Sequence, residues 1–182
     1  MSTMFVVMSE RVRVLADAAI RVIAASGLRG LTYRAVDVEA GLPAGSTSNR
    51  FRTRDDLIAG VIERMADLEL ADLDAAEGSA TSAFDKWAAG GLSQTLTRFE
   101  LMIEGVRSPR VAKALEEQRA RFAALAESSA VAIPFGLTSP ELVAVFAGLQ
   151  FAEITTGEKV LEKALTWIAT RDDATTQADR ER

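Results

Sequence analysis

Apolar residues recur along this chain at intervals of three and four, and no window alternates convincingly at intervals of two. That is the periodicity of helices. Val12, Leu15, Ala16, Ala19, Ile20 and Ile23 share one face of a first helix. It is predicted from Ser9, a plausible N-cap, to Ser26, with Gly27 just past its end. Thr32 caps a short second helix, Tyr33 to Ala40, which stops at Gly41. After Leu42-Pro43 a third short helix is predicted from Ala44 to Phe51. Thr53-Arg54-Asp55-Asp56 has the form of a capping box with Asp in place of Glu. It opens a long fourth helix reaching Ala75.

Glu77-Gly78-Ser79-Ala80-Thr81 is small and polar, a connection between packed helices rather than between independent domains. Further helices are predicted over Phe84–Val106 with a weak point at Gly90-Gly91, and from Pro109 to Val131. Another runs from its N-cap Ser139, through Pro140 and Glu141, to Thr156. Gly157 breaks it, and a last helix spans Glu158 to Ala169. Residues 171–182 are polar and expected to be disordered. The expected fold class is all-α.

Composition narrows the chemistry. The 182 residues suit one domain, and the chain has neither cysteine nor histidine. Disulfides, thiolate or imidazole metal sites, cysteine nucleophiles, Ser-His-Asp triads and histidine acid–base pairs are excluded. Glu100 and Glu104 lie one turn apart, yet no histidine completes a Glu-x-x-His metal motif. The expectation is therefore no enzyme, no catalytic residue, no metal and no cofactor. No segment is long and apolar enough to span a membrane. The start, MSTMFVVMSE, lacks the basic region of a signal peptide and reads as a frayed terminus. The expected location is the cytoplasm.

Net charge is −5, which taken whole argues against nonspecific nucleic-acid binding. The distribution changes that picture. Residues 1–60 hold eight arginines and no lysine against six carboxylates, a local charge of +2, so the remainder carries −7. Arginine is the better fork for phosphates and guanine edges.

The arginine-rich third contains the informative segment, residues 32–51. Two short helices joined by a glycine-containing turn, behind a longer helix, form a helix-turn-helix pattern. Ala35, Val36 and Ala40 can face the first helix, and Thr47, Phe51 and Leu42 can point inward. The opposite face then presents Ala44, Gly45, Ser48 and Asn49, with Ser46 and Arg50 on its flank. Small residues let a helix approach a groove, and Asn and Arg can pair bidentately with adenine and guanine. The N-cap Thr32 leaves free backbone N–H groups where a phosphate could sit. Tyr33 and Arg34, in the first turn, are candidates for phosphate contact.

Residues 9–57 resemble the N-terminal domain of the TetR/AcrR family of transcriptional regulators. The resemblance lies in Ala18-Ala19 and Ile23-Ala24, then Gly27-Leu28-Arg29-Gly30-Leu31-Thr32. It continues through Ala40-Gly41-Leu42-Pro43 and Gly45-Ser46-Thr47 to Phe51-Arg52-Thr53-Arg54-Asp55-Asp56-Leu57. The family often has Leu where this chain has Thr47, a phosphate-contacting Tyr at Ser48, an aromatic residue at Arg50 and Pro at Arg52. Arg54 sits where the family usually has a basic residue. The resemblance thus implies DNA contact with more arginine–phosphate and less aromatic character.

It also implies a domain plan. Residues 1–55 would be the DNA-binding domain, with its motif at 32–51. Residues 56–170 would bind an effector and dimerise, and 171–182 would be the tail. Phe99-Glu100-Leu101-Met102-Ile103-Glu104, followed by Pro109, resembles a helix of one subgroup with a similar C-terminal domain. Pocket residues do not carry over one by one. Trp87, Phe99, Met102, Phe122, Phe146 and Phe151 are apolar at helical spacing and suit an ordinary core as well as a pocket. Gln94, Arg98 and Gln150 are polar within apolar helices and are better pocket candidates.

The helix over 141–155 is apolar on most sides and must be covered on more than one of them. Leu142, Val145 and Leu149, with Val160, Leu161, Ala164, Leu165 and Ile168, would form a four-helix interface between two copies. A two-fold pair of recognition helices reads a palindrome. The expected function is a homodimeric regulator of double-stranded DNA, a repressor released by an unknown small molecule. The alternative is a helical protein–protein adaptor or a small-molecule carrier with a vestigial DNA-binding unit.

Overall fold

The computed structural model describes residues 8–74, 91–128, 138–164 and 166–167. Every regular element among them is helical: α1 (Glu10–Gly30), α2 (Tyr33–Glu39), α3 (Arg54–Asp74), α4 (Gly91–Arg107), α5 (Pro109–Ser128) and α6 (Ser139–Thr156). A further helical stretch covers 160–164. The expected break at Glu77–Thr81, the N-terminal apolar patch and the tail lie outside the described residues.

The chain divides into two compact units, Met1–Leu68 with Gly90–Gln118, and Glu69–Ala89 with Arg119–Arg182. In the first, α1 is the central strut, packed against α2 and α4. Its apolar stripe, Leu15, Ala18, Ala19, Ile20, Val22 and Ile23, is buried against Val36, Phe51, Leu57, Ile58, Val61, Ile62 and Met65. Leu101 of α4 and Val111 and Leu115 of α5 complete the same core.

α1 departs from its predicted end. Gly27 takes φ 65° and ψ 178°, and one more turn follows to Gly30. That kink drives Leu28 into the core, where a straight helix would have pointed it away. Polar bonds hold the kink. The Leu28 N–H donates to Glu100 Oε2 at 3.0 Å, and Arg54 Nη2 donates to the Leu28 carbonyl at 2.6 Å. Below it, the buried Thr97 hydroxyl donates to the Ile20 carbonyl at 3.0 Å. Arg64 grips Asp17 with two bonds of 2.7 and 3.2 Å.

The caps are mostly where the pattern puts them. Thr53 and Asp56 exchange bonds, Asp56 N–H to Thr53 Oγ1 at 3.1 Å and Thr53 N–H to Asp56 Oδ2 at 3.0 Å. Ser9 occupies the N-cap of α1 without a side-chain bond. The N-cap of α6 is Thr138 rather than Ser139. Glu141 decides this, because its carboxylate accepts both the Thr138 N–H at 2.7 Å and the Thr138 hydroxyl at 2.8 Å.

In the second unit α6 ends at Gly157, which caps it in the left-handed conformation. Phe146, Ala147 and Gln150 of α6 are buried there, as is Leu161. The Leu161 N–H donates to Glu153 Oε2 at 2.9 Å.

Candidate nucleic-acid interface

Thr32 starts α2 as an N-cap, its Oγ1 accepting from the Ala35 N–H at 3.1 Å. α2 closes with the Ala40 N–H on the Val36 carbonyl at 2.8 Å, and the Leu42 N–H returns to the Asp37 carbonyl at 2.9 Å. These bonds turn the chain sharply toward residues 43–51.

That segment is not the continuous helix its spacing predicts. Residues 44–50 form consecutive turns. The Asn49 N–H reaches the Gly45 carbonyl at 3.0 Å and the Phe51 N–H the Thr47 carbonyl at 2.8 Å, while Ser46 and Arg50 bond only three residues back. Gly45, at φ +91°, lies outside helical space. Serine hydroxyls add local competition: Ser46 Oγ donates to the Pro43 carbonyl at 2.7 Å and Ser48 Oγ to the Gly45 carbonyl at 3.2 Å.

One side chain anchors the segment from below. Asp37 of α2 accepts the Gly45 N–H at 2.7 Å on Oδ2. On Oδ1 it accepts the Thr47 N–H at 2.7 Å and the Thr47 hydroxyl at 2.5 Å. Asp37 and Thr47 are 3% and 0% exposed. Burial pushes the Asp37 carboxyl up, but the Thr47 hydroxyl and the Thr47 and Gly45 N–H groups outweigh it and hold the group below the usual carboxylate range. Phe51 anchors the other end in the core.

The outer face is left to small, amide and guanidinium groups. Ala44, Ser48, Asn49, Arg50, Arg52 and Arg54 are exposed, as are Thr32 and Arg34. Tyr33 and Gly45 are half-buried, and Tyr33 packs against the core. Ser46 is buried, with its hydroxyl inside the turn and within 3.5 Å of Arg11 Nη2. Arg54 spends one Nη2 donor on Leu28, while Asn49, Arg50, Arg52 and Arg34 make no side-chain bond to any described residue. Periodicity gives no sign of Asp37, nor of Arg11, which is one of the eight arginines of residues 1–60.

A family profile described as "Tetracyclin repressor-like, C-terminal domain" matches residues 71–175, more than half of the chain. The chain belongs to the TetR family of transcriptional regulators. A TetR-family member from Streptomyces coelicolor A3 superposes with a TM-score of 0.71 at 25% identity, over 89% of this chain and 97% of that one. The multidrug binding protein EbrR, complexed with ethidium, gives a TM-score of 0.64 at 26% identity, over 90% and 98%. A transcriptional regulator from Rhodococcus sp. Rha1 gives 0.65 at 21% identity over 87% and 96%, a likeness of fold. No curated protein sequence matches the chain.

In this TetR-family regulator the effector candidates fall in both units. Gln94, Arg98 and Phe99 are half-buried on α4, and Met102 is exposed there. Phe146 and Gln150 are buried one turn apart on α6. Trp87 and the side chain of Phe122 lie outside the described residues. Of the interface candidates, Val145 is exposed, Leu149, Val160 and Ala164 are half-buried, and Leu161 is buried within its own unit. The Leu142 side chain, Leu165 and Ile168 lie outside the described residues. No helix among the described residues is long and apolar enough to cross a membrane.

Proposed function

We propose that this TetR-family protein is a homodimeric repressor that reads a palindromic operator with residues 32–54 and releases it when a small molecule binds. The observation that carries this reading is the outer face of the turn segment. Asn49, Arg50 and Arg52 are exposed and unengaged on a backbone pinned from below by Asp37 and Phe51. Asn and Arg are the side chains that pair bidentately with adenine and guanine, and Arg34 and Arg52 flank them as phosphate contacts. The Thr32 hydroxyl takes the Ala35 N–H, and the exposed Arg34 beside it is the phosphate contact at the start of α2.

The effector reading is supported by EbrR, whose structures hold ethidium, proflavin and malachite green. For this chain we place the effector on the helices beyond the reading head, with Gln150 beside Phe146 as its polar contact. The dimer reading is supported by the apolar residues that α6 exposes. Thermodynamic linkage then requires operator and effector to weaken each other by the same factor.

A gel shift at fixed salt on the DNA flanking the protein's own gene tests this. The dimer should retard that fragment at nanomolar concentration. A compound that raises the protein's thermal midpoint should abolish the shift. No retarded band, or a stabilising ligand that leaves the band unchanged, contradicts the regulator reading or its ligand response respectively.

A further inference from the structure

We infer that Asp37 is a positioning residue for base reading, its buried carboxylate fixing the direction in which Asn49 and Arg50 leave the protein. This rests on the DNA-reading role proposed for the segment. A recognition element needs its side chains held closely, and a loose shell of supporting contacts forfeits the contact. In most such elements a continuous helix and an apolar stripe supply that rigidity. Here the helix is interrupted at Gly45, and the residue one turn before Phe51 is a threonine. Its side chain is wholly buried, yet its hydroxyl and its N–H both end on Asp37 Oδ1. Gly45 ends on Oδ2. The start of the reading segment therefore hangs on one carboxylate, and only its end on apolar packing.

The arrangement has a corollary for DNA contact. The N–H groups of Gly45 and Thr47 point inward, beneath the outer face, and take no part in phosphate contact. Asp37 occupies both. Phosphate contact then falls to guanidinium groups, and Arg29, Arg34, Arg50 and Arg52 are the exposed arginines of residues 1–60 without a described partner.

The test uses full-length protein, a duplex selected from random sequence by the wild type, and a scrambled duplex at the same salt. Asp37→Asn keeps the shape but turns an amide NH₂ toward one of the three donors it must accept. The affinity for the selected duplex should fall about tenfold or more, the size of a lost base contact. Affinity for the scrambled duplex should stay within about twofold, because phosphate contacts carry it. Asp37→Asn should add little to the Asn49→Ala/Arg50→Ala double variant, since it acts through those two side chains. The thermal midpoint falls on either account, but a purely structural role would weaken both duplexes alike.

If Asp37→Asn does not fold, Thr47→Val is the second variant. It removes one of the three bonds and should lower the ratio of the two affinities by a smaller factor. A wild-type ratio in the folded variant, or full additivity with the Asn49→Ala/Arg50→Ala double variant, overturns the positioning role alone. If the wild type selects no sequence, the DNA-reading role falls first and this one with it.

Discussion

Thr47 commits both of its donors to Asp37, and that commitment sets the acid behaviour of the reading head. The folded carboxyl sits below its ordinary value, so its contribution to stability is complete above about pH 4 and is lost as pH falls through the lowered value. Asp37→Asn should cost about 1–3 kcal/mol at neutral pH, because it strands a buried donor. The gap between wild-type and variant thermal midpoints, followed by circular dichroism, should narrow on acidification toward about pH 3. A gap independent of pH would show that the carboxylate charge does not matter. Several residue roles were legible beforehand. Thr32 and Thr53 as caps and Thr47 and Phe51 as inward residues followed from spacing alone. The inward turn of Ser46 did not, because 3.6-residue spacing assumes a regular helix and Gly45 breaks it. Asp37 escaped notice for a related reason: its partners are eight and ten residues away, across the turn.

Among the elements, α4 is the one whose role was hidden. Its apolar positions Phe99 and Met102 are pocket or core candidates by spacing, yet the buried stripe is Thr95, Thr97 and Leu101. The polar residues on that stripe are satisfied by backbone, Thr97 by the Ile20 carbonyl of α1 and Thr95 by the Gly91 carbonyl of its own helix, so hydrophobicity alone did not mark it. Glu100 completes the tie by accepting the Leu28 N–H while Arg54 of α3 holds the carbonyl of the same residue. One residue thereby links α1, α3 and α4 at the entrance to the helix-turn-helix. Glu100→Ala should destabilise the fold by about 1–3 kcal/mol in chemical denaturation, leaving a part-buried N–H unmet. Glu100→Gln keeps an acceptor and should lose clearly less. Equal losses would mean that charge rather than this bond matters. The described helices, apart from the one expected over Ala44–Phe51 that forms turns instead, and the kink glycine as a stop signal were readable because Gly and the caps act locally.

At the scale of the molecule, α6 is apolar nearly all round and leaves Val145, Phe151 and Ile154 exposed. The proposed second copy covers them. Val145→Glu places a charge on a position already 47% exposed, so it should leave helicity intact. In sedimentation the variant should become a monomer, and operator affinity should collapse with it, because two half-sites must be bound together. A variant that stays dimeric would move the interface elsewhere. Charge belongs to this scale too. The acidic remainder of the chain opposes nonspecific DNA attachment, leaving discrimination to the exposed face of residues 44–54. The most direct test of that face is the ratio of affinities for a selected and a scrambled duplex, measured by fluorescence anisotropy at one salt concentration. The wild type should favour the selected duplex by about 10³-fold or more. Asn49→Ala and Arg50→Ala should each cut that ratio about tenfold with little change on scrambled DNA. A wild type that binds both duplexes alike, or variants that keep the wild-type ratio, would contradict the account.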